Sequence, residues 1–165
     1  KKTLSAAIKF HLADKWRDLF GASFDGRYLY FTPTSDRNGI IAVRYDTQAS
    51  FAEPESWRSF NIRFVDPDRG TSYLHLAGST FDGRYVYFIP SSEGLLVRYD
   101  SQADFASSSA WTSFALSTVG FYGGAMGAAF DGRYLYMAPT GFGSIARFDA
   151  KERGPLPPGH NAWFY

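Results

Sequence analysis

The sequence predicts an all-β fold made of three similar four-stranded antiparallel sheets, and two observations carry this prediction. A seven-residue phrase, Phe-Asp-Gly-Arg-Tyr-x-Tyr, begins at Phe24, Phe81 and Phe130, at spacings of 57 and 49 residues. Aromatic residues make up 19% of the chain and charged residues only 20%, a balance typical of sheets around an aromatic core. Each repeat of this length forms one structural unit, and such units stack on one another to bury a common core. We therefore predict a single domain over residues 1–165.

The first two strands of each unit flank the Asp-Gly pair, which marks a hairpin turn because glycine accepts a positive φ. Small residues before the turn predict the first strands, at 21–24, 78–81 and 127–130. Aromatic and aliphatic residues after it predict the second strands, at 28–31, 85–88 and 134–137, which end at Pro33, Pro90 and Pro139. Both faces of the second strand carry bulky side chains, so we expect each sheet to pack between two others.

The third and fourth strands follow the second. An Arg-Tyr-Asp or Arg-Phe-Asp phrase predicts the third strands, at 41–46, 95–100 and 145–149. Two short segments that each begin with a tryptophan predict the outer strands, at 57–60 and 111–114. Residues 163–165 are a candidate for one more outer strand, and the three units then span 5–46, 57–100 and 111–149, with a tail over 150–165.

The first 20 residues permit two interpretations. Ile8, Leu12, Trp16 and Leu19 have the spacing of one face of an amphipathic helix. However, residues 5–24 align without gaps onto residues 111–130, which favours an outer strand at about 4–11 that precedes the first unit. The helix remains the alternative.

The repeated phrases resemble those of β-propeller repeat proteins over essentially the whole chain. The resemblance implies blades, the four-stranded sheets arranged around a central channel, but three blades are too few to close a ring. We therefore expect self-association, with a homodimer completing a six-bladed ring. The alternative is that the chain is a fragment of, or one partner in, a larger propeller.

Composition excludes some classes of partner. A net charge of +1 gives no electrostatic footprint for nucleic acid, and no apolar run approaches the length of a membrane span. The absence of cysteine removes disulfides and thiolate metal sites from consideration. We predict no cofactor, and the sequence does not indicate a compartment.

Candidate ligand-binding residues lie in the loops that lead into each first strand. Trp16, Tyr73 and Tyr122 occupy equivalent positions there, so three aromatic rings are candidates to line a channel mouth and stack on a sugar or a cation. The plainer interpretation is that they plug the channel or pack between blades.

An insertion in the second of these loops brings polar side chains near the same end. It carries Asp66, Asp68 and Arg69, and His75 follows. These residues are candidates for a polar ligand site or a weak calcium site, and the plainer interpretation, which we favour, is a solvated turn.

The charged residues that recur in every unit are expected to be structural, because a catalytic acid or base normally appears once per site. The leading functional hypothesis is a non-catalytic module that binds carbohydrate or another small ligand. One alternative is a protein-interaction scaffold. The other is a lactonase-like or glycosidase-like hydrolase using Asp66, Asp68 and His75 with Asp14 or Asp18.

Overall fold

The computed structural model describes residues 19–33, 40–62, 75–92, 95–140 and 145–151. Within these ranges the fold is all-β, with three antiparallel sheets of four, four and three strands. Sheet 1 comprises β1 (Leu19–Phe24), β2 (Tyr28–Pro33), β3 (Ile41–Asp46) and β4 (Trp57–Asn61). Sheet 2 comprises β5 (Leu76–Phe81), β6 (Tyr85–Pro90), β7 (Leu95–Asp100) and β8 (Trp111–Ala115). Sheet 3 comprises β9 (Gly124–Phe130), β10 (Tyr134–Thr140) and β11 (Ala146–Asp149).

In every sheet the strands lie side by side in chain order, so each is a meander of hairpins. The predicted first, second and third strands are confirmed, as are the outer strands β4 and β8. The predicted outer strands at 4–11 and 163–165, and the alternative helix near the start of the chain, lie outside the described residues.

One strand end differs from the prediction. Pro33 and Pro90 are the last residues of β2 and β6, but β10 continues past Pro139 to Thr140. The register between β10 and β9 shifts between Ala138 and Pro139, and Thr140 still pairs with Gly124. A bulge lets a strand tolerate a proline that cannot donate a ladder hydrogen bond.

The first strands of the three sheets lie next to one another, β1 against β5 and β5 against β9. Glycine permits this approach. A Cβ atom added to Gly21 would lie 3.5 Å from the Cα of Gly78, and one added to Gly78 would lie 3.2 Å from the Cα of Gly127. The three equivalent glycines therefore set how closely the sheets stack along this line.

Two hydrophobic cores hold the sheets together. The core between sheets 1 and 2 includes the fully buried Tyr30, Phe88 and Tyr99. The core between sheets 2 and 3 includes the fully buried Tyr87 and Leu135. Residues 86–90 of β6 are all buried, so this second strand has the two buried faces that we expected, because sheet 2 lies between the other two sheets. Among the described elements, none is a helix long and apolar enough to cross a bilayer.

Replacement of Gly78 by alanine tests the stacking line. Its Cβ would meet backbone atoms of Met126 and Gly127, both at 3.2 Å, which cannot rotate away. We expect Gly78→Ala to lower the free energy of unfolding by about 1–2 kcal/mol relative to Gly21→Ala, whose Cβ makes only ordinary contacts. Urea unfolding followed by tryptophan fluorescence measures both, and equal stabilities would contradict the proposed close approach.

Candidate functional site

The repeated Asp-Gly-Arg-Tyr-x-Tyr phrase builds the same turn in each sheet. In sheet 2 the Oδ1 atom of Asp82 accepts the backbone N–H groups of Arg84 at 2.8 Å and Tyr85 at 2.6 Å. Its Oδ2 atom accepts the hydroxyl of Tyr87 at 3.1 Å, and Gly83 has a φ of +100°. Asp25 and Asp131 make the three equivalent bonds in the other two sheets.

The arginine of the phrase pairs with the aspartate at the end of the third strand. Arg84 Nη2 lies 2.7 Å from Asp100 Oδ2. Two guanidinium groups stack on the ring of Tyr85, with the Cζ atom of Arg84 at 4.9 Å and that of Arg98 at 4.3 Å from the ring centroid. Sheets 1 and 3 repeat this arrangement with the ion pairs Arg27–Asp46 and Arg133–Asp149. The prediction that the recurring charged residues hold each sheet is therefore confirmed for these pairs.

The electrostatics of these groups do not favour proton transfer near neutral pH. The hydrogen bond from Arg84 lowers the pKa of Asp100, and the N–H groups of Tyr134 and Arg133 lower that of Asp131. Burial raises the pKa of Tyr99 to about 12. All the resolved shifts in the described part move pKa values away from neutrality, whereas a general acid or base is most effective with a pKa near the working pH.

The structure describes two of the predicted ligand-binding residues. Tyr122 lies two residues before β9 and exposes 69% of its surface. His75 lies immediately before β5 and is exposed. Trp16, Asp66, Asp68, Arg69 and Tyr73 lie outside the described residues, as do Asp14 and Asp18.

The loop after β6 connects the starts of β5 and β9. Ser91 donates its backbone N–H to the carbonyl oxygen of His75 at 2.7 Å and accepts the Thr140 hydroxyl at 3.2 Å. Gly124 packs so closely on Ser91 that a Cβ atom would have no room. The loop that leaves β6 therefore meets the residues that enter β5 and β9.

Further exposed apolar residues near this end were not predicted from the sequence. Phe20 is 54% exposed and Met126 is 60% exposed. They occupy equivalent positions on β1 and β9, one residue before the stacked glycines, whereas Ala77 occupies this position on β5 and is buried. The signal was present in the alignment of the three repeats, as a large apolar residue that precedes the glycine in two of them.

The described ranges contain no group of three or more His, Asp or Glu side chains that could hold a metal ion.

Comparison with protein-family models and with curated proteins gives no match to this chain.

The middle turn should contribute most to stability, because Asp82 is only 4% exposed. We expect Asp82→Ala to cost about 2–4 kcal/mol, since it leaves two turn N–H groups and a buried tyrosine hydroxyl without their acceptor. Asp131→Ala should cost about 1 kcal/mol, because water replaces the lost bonds at this exposed turn. Chemical unfolding of both variants measures the difference, and the reverse order would refute this assignment.

Acid should destabilise the fold through the paired aspartates. The folded pKa of Asp100 lies below its ordinary value of 3.8, so its stabilising effect is present above that pH and is lost as the pH falls through the folded pKa. Asp100→Asn should therefore show a flatter fall in unfolding free energy below about pH 4. Urea titrations from pH 6 to pH 2 measure this slope, and parallel curves for wild type and variant would count against the pairing.

Proposed function

We propose that the three sheets are blades of a β-propeller and that the module binds a small ligand, carbohydrate in particular, without catalysing a reaction on it. The observation that carries the proposal is the exposed set of Phe20, Tyr122 and Met126 at the end where the loops meet. Exposed large apolar side chains mark binding surfaces when they cluster, and Tyr122 and Met126 lie four residues apart at the start of β9.

Three features of the described residues support the propeller arrangement. Each sheet is a meander in chain order, the first strands of neighbouring sheets are adjacent, and equivalent glycines allow their close approach. In a propeller the first strand of each blade lines the channel, so residues at the starts of β1, β5 and β9 would surround its mouth. Tyr122 would lie on this rim.

A sugar is the ligand class that these side chains favour. The flat apolar face of a sugar ring stacks on an exposed aromatic ring, and polar neighbours then orient its hydroxyl groups. His75, which is exposed and lies immediately before β5, is the candidate for such a polar neighbour. Trp16 and Tyr73 occupy positions in the repeat equivalent to that of Tyr122, so we propose that they contribute the same stacking surface.

A hydrolase is less well supported. The aspartates of the first turns accept backbone hydrogen bonds. The aspartates that end the third strands are paired with arginines. The first group is Asp25, Asp82 and Asp131, and the second is Asp46, Asp100 and Asp149. Their engagement in structure leaves the catalytic alternative dependent on Asp14, Asp18, Asp66 and Asp68.

Substitution of Tyr122 tests the ligand proposal. A glycan array identifies the best sugar, and isothermal titration then compares wild type with two variants. We expect Tyr122→Ala to weaken binding about 10-fold, because one stacking contact contributes about 1.4 kcal/mol, and Tyr122→Phe to bind within about 2-fold of wild type.

Trp16→Ala provides an independent check on the same surface and should also weaken binding. An array without hits, or unchanged binding by both alanine variants, would refute the proposal. Turnover of an arrayed glycan or of a lactone by the purified chain, lost on replacement of Asp66 or Asp68, would favour the hydrolase instead.

A further inference from the structure

We propose that the outer face of sheet 3 is a docking surface for sheet 1 of a second copy of this chain, so that β1 of one copy packs across β9 of the other. This inference rests on the propeller arrangement proposed above. We call the face of each sheet that points toward the next sheet its trailing face, and the opposite one its leading face.

The interface between sheets 1 and 2 defines what a trailing face binds. Tyr30 on sheet 1 packs its ring 5.7 Å from that of Tyr99 and 6.2 Å from that of Phe105. Arg44 places its guanidinium 4.8 Å from the Phe105 ring and donates to the Tyr99 hydroxyl at 3.4 Å. Gly21 meanwhile approaches Gly78 on the first strands.

The interface between sheets 2 and 3 repeats these elements. Tyr87, the equivalent of Tyr30, packs its ring 6.0 Å from that of Phe148, the equivalent of Tyr99. Gly78 approaches Gly127. A tyrosine from the second strand, an aromatic residue from the next third strand and a close approach of two glycines therefore recur from sheet to sheet.

The trailing face of sheet 3 carries the same elements and is exposed. Ile145 is 55% exposed, whereas its equivalents Ala42 and Leu96 are 0% and 1% exposed. Tyr136, the equivalent of Tyr30 and Tyr87, is only half-buried. Among the described residues, none has an atom within 4 Å of a Cβ atom added to Gly127 on this side.

The leading face of sheet 1 offers the matching surface along β1 and β2. Phe24 is 50% exposed, and Leu29 and Phe31 are half-buried. Their equivalents on sheet 2, Val86 and Phe88, are 0% exposed because sheet 1 covers them.

A second copy is the occupant that these two faces specify. Sheet 1 has the strand order and glycine position that sheets 2 and 3 use when they pack on a trailing face. The contact is head to tail, and two copies bring their four free faces together in two equivalent interfaces. The product is a closed ring of six sheets with two-fold symmetry.

Light scattering coupled to size exclusion tests the docking directly. The wild-type chain should have twice the single-chain mass of 18.4 kDa. Ile145→Arg puts a charge in the buried contact and should halve the mass, whereas Gln102→Arg, at an exposed turn of sheet 2, should leave it unchanged. Near-UV circular dichroism verifies that both variants remain folded.

Gly127→Val is the second variant, because its side chain meets no atom of the described part of the single chain but would strike β1 of the partner. It should also halve the mass while keeping the unfolding transition. A monomeric wild type at 100 µM, or dimers of both Ile145→Arg and Gly127→Val, would overturn the docking whether or not glycan binding is found. A wild-type dimer that binds no glycan would overturn only the ligand proposal.

Discussion

The carboxylate at the first turn of each sheet is the constraint on which the rest of the fold depends. One oxygen closes the turn through two backbone N–H groups, and the other holds a tyrosine that lies on the following strand. In sheets 1 and 2 that tyrosine is Tyr30 and Tyr87, respectively, and its ring packs against the next sheet. A single side chain therefore couples the local turn to the packing between sheets, and this explains why the phrase recurs with so little variation.

The charged residues that recur in every sheet have a structural role. The arginine and aspartate side chains that recur form an ion pair in each sheet, and the guanidinium groups stack on a tyrosine ring. Exposed ion pairs of this kind contribute little stability each, so their main effect is to fix the end of the third strand beside the first turn. The proposed ligand site therefore uses residues outside the repeated phrases, such as Phe20, Tyr122 and Met126.

Most of the strand pattern could be predicted because turn chemistry and aromatic periodicity are local properties. The Asp-Gly pairs located all three first hairpins, and the Trp residues located β4 and β8. The bulge that carries β10 past Pro139 depends on register, which local sequence does not determine. The exposure of Phe20 and Ile145 was also not predictable residue by residue, since Ala77 and Leu96 at equivalent positions are buried by a neighbouring sheet.

Amide hydrogen exchange measured by NMR tests the role of the turn carboxylates most directly. The amides of Arg84 and Tyr85 belong to a surface turn, yet both donate to Asp82. The account predicts that they exchange as slowly as the neighbouring strand amides, with weaker protection at the exposed turn of sheet 3. Rapid exchange at Arg84 and Tyr85, at the rate of an unstructured loop, would contradict it.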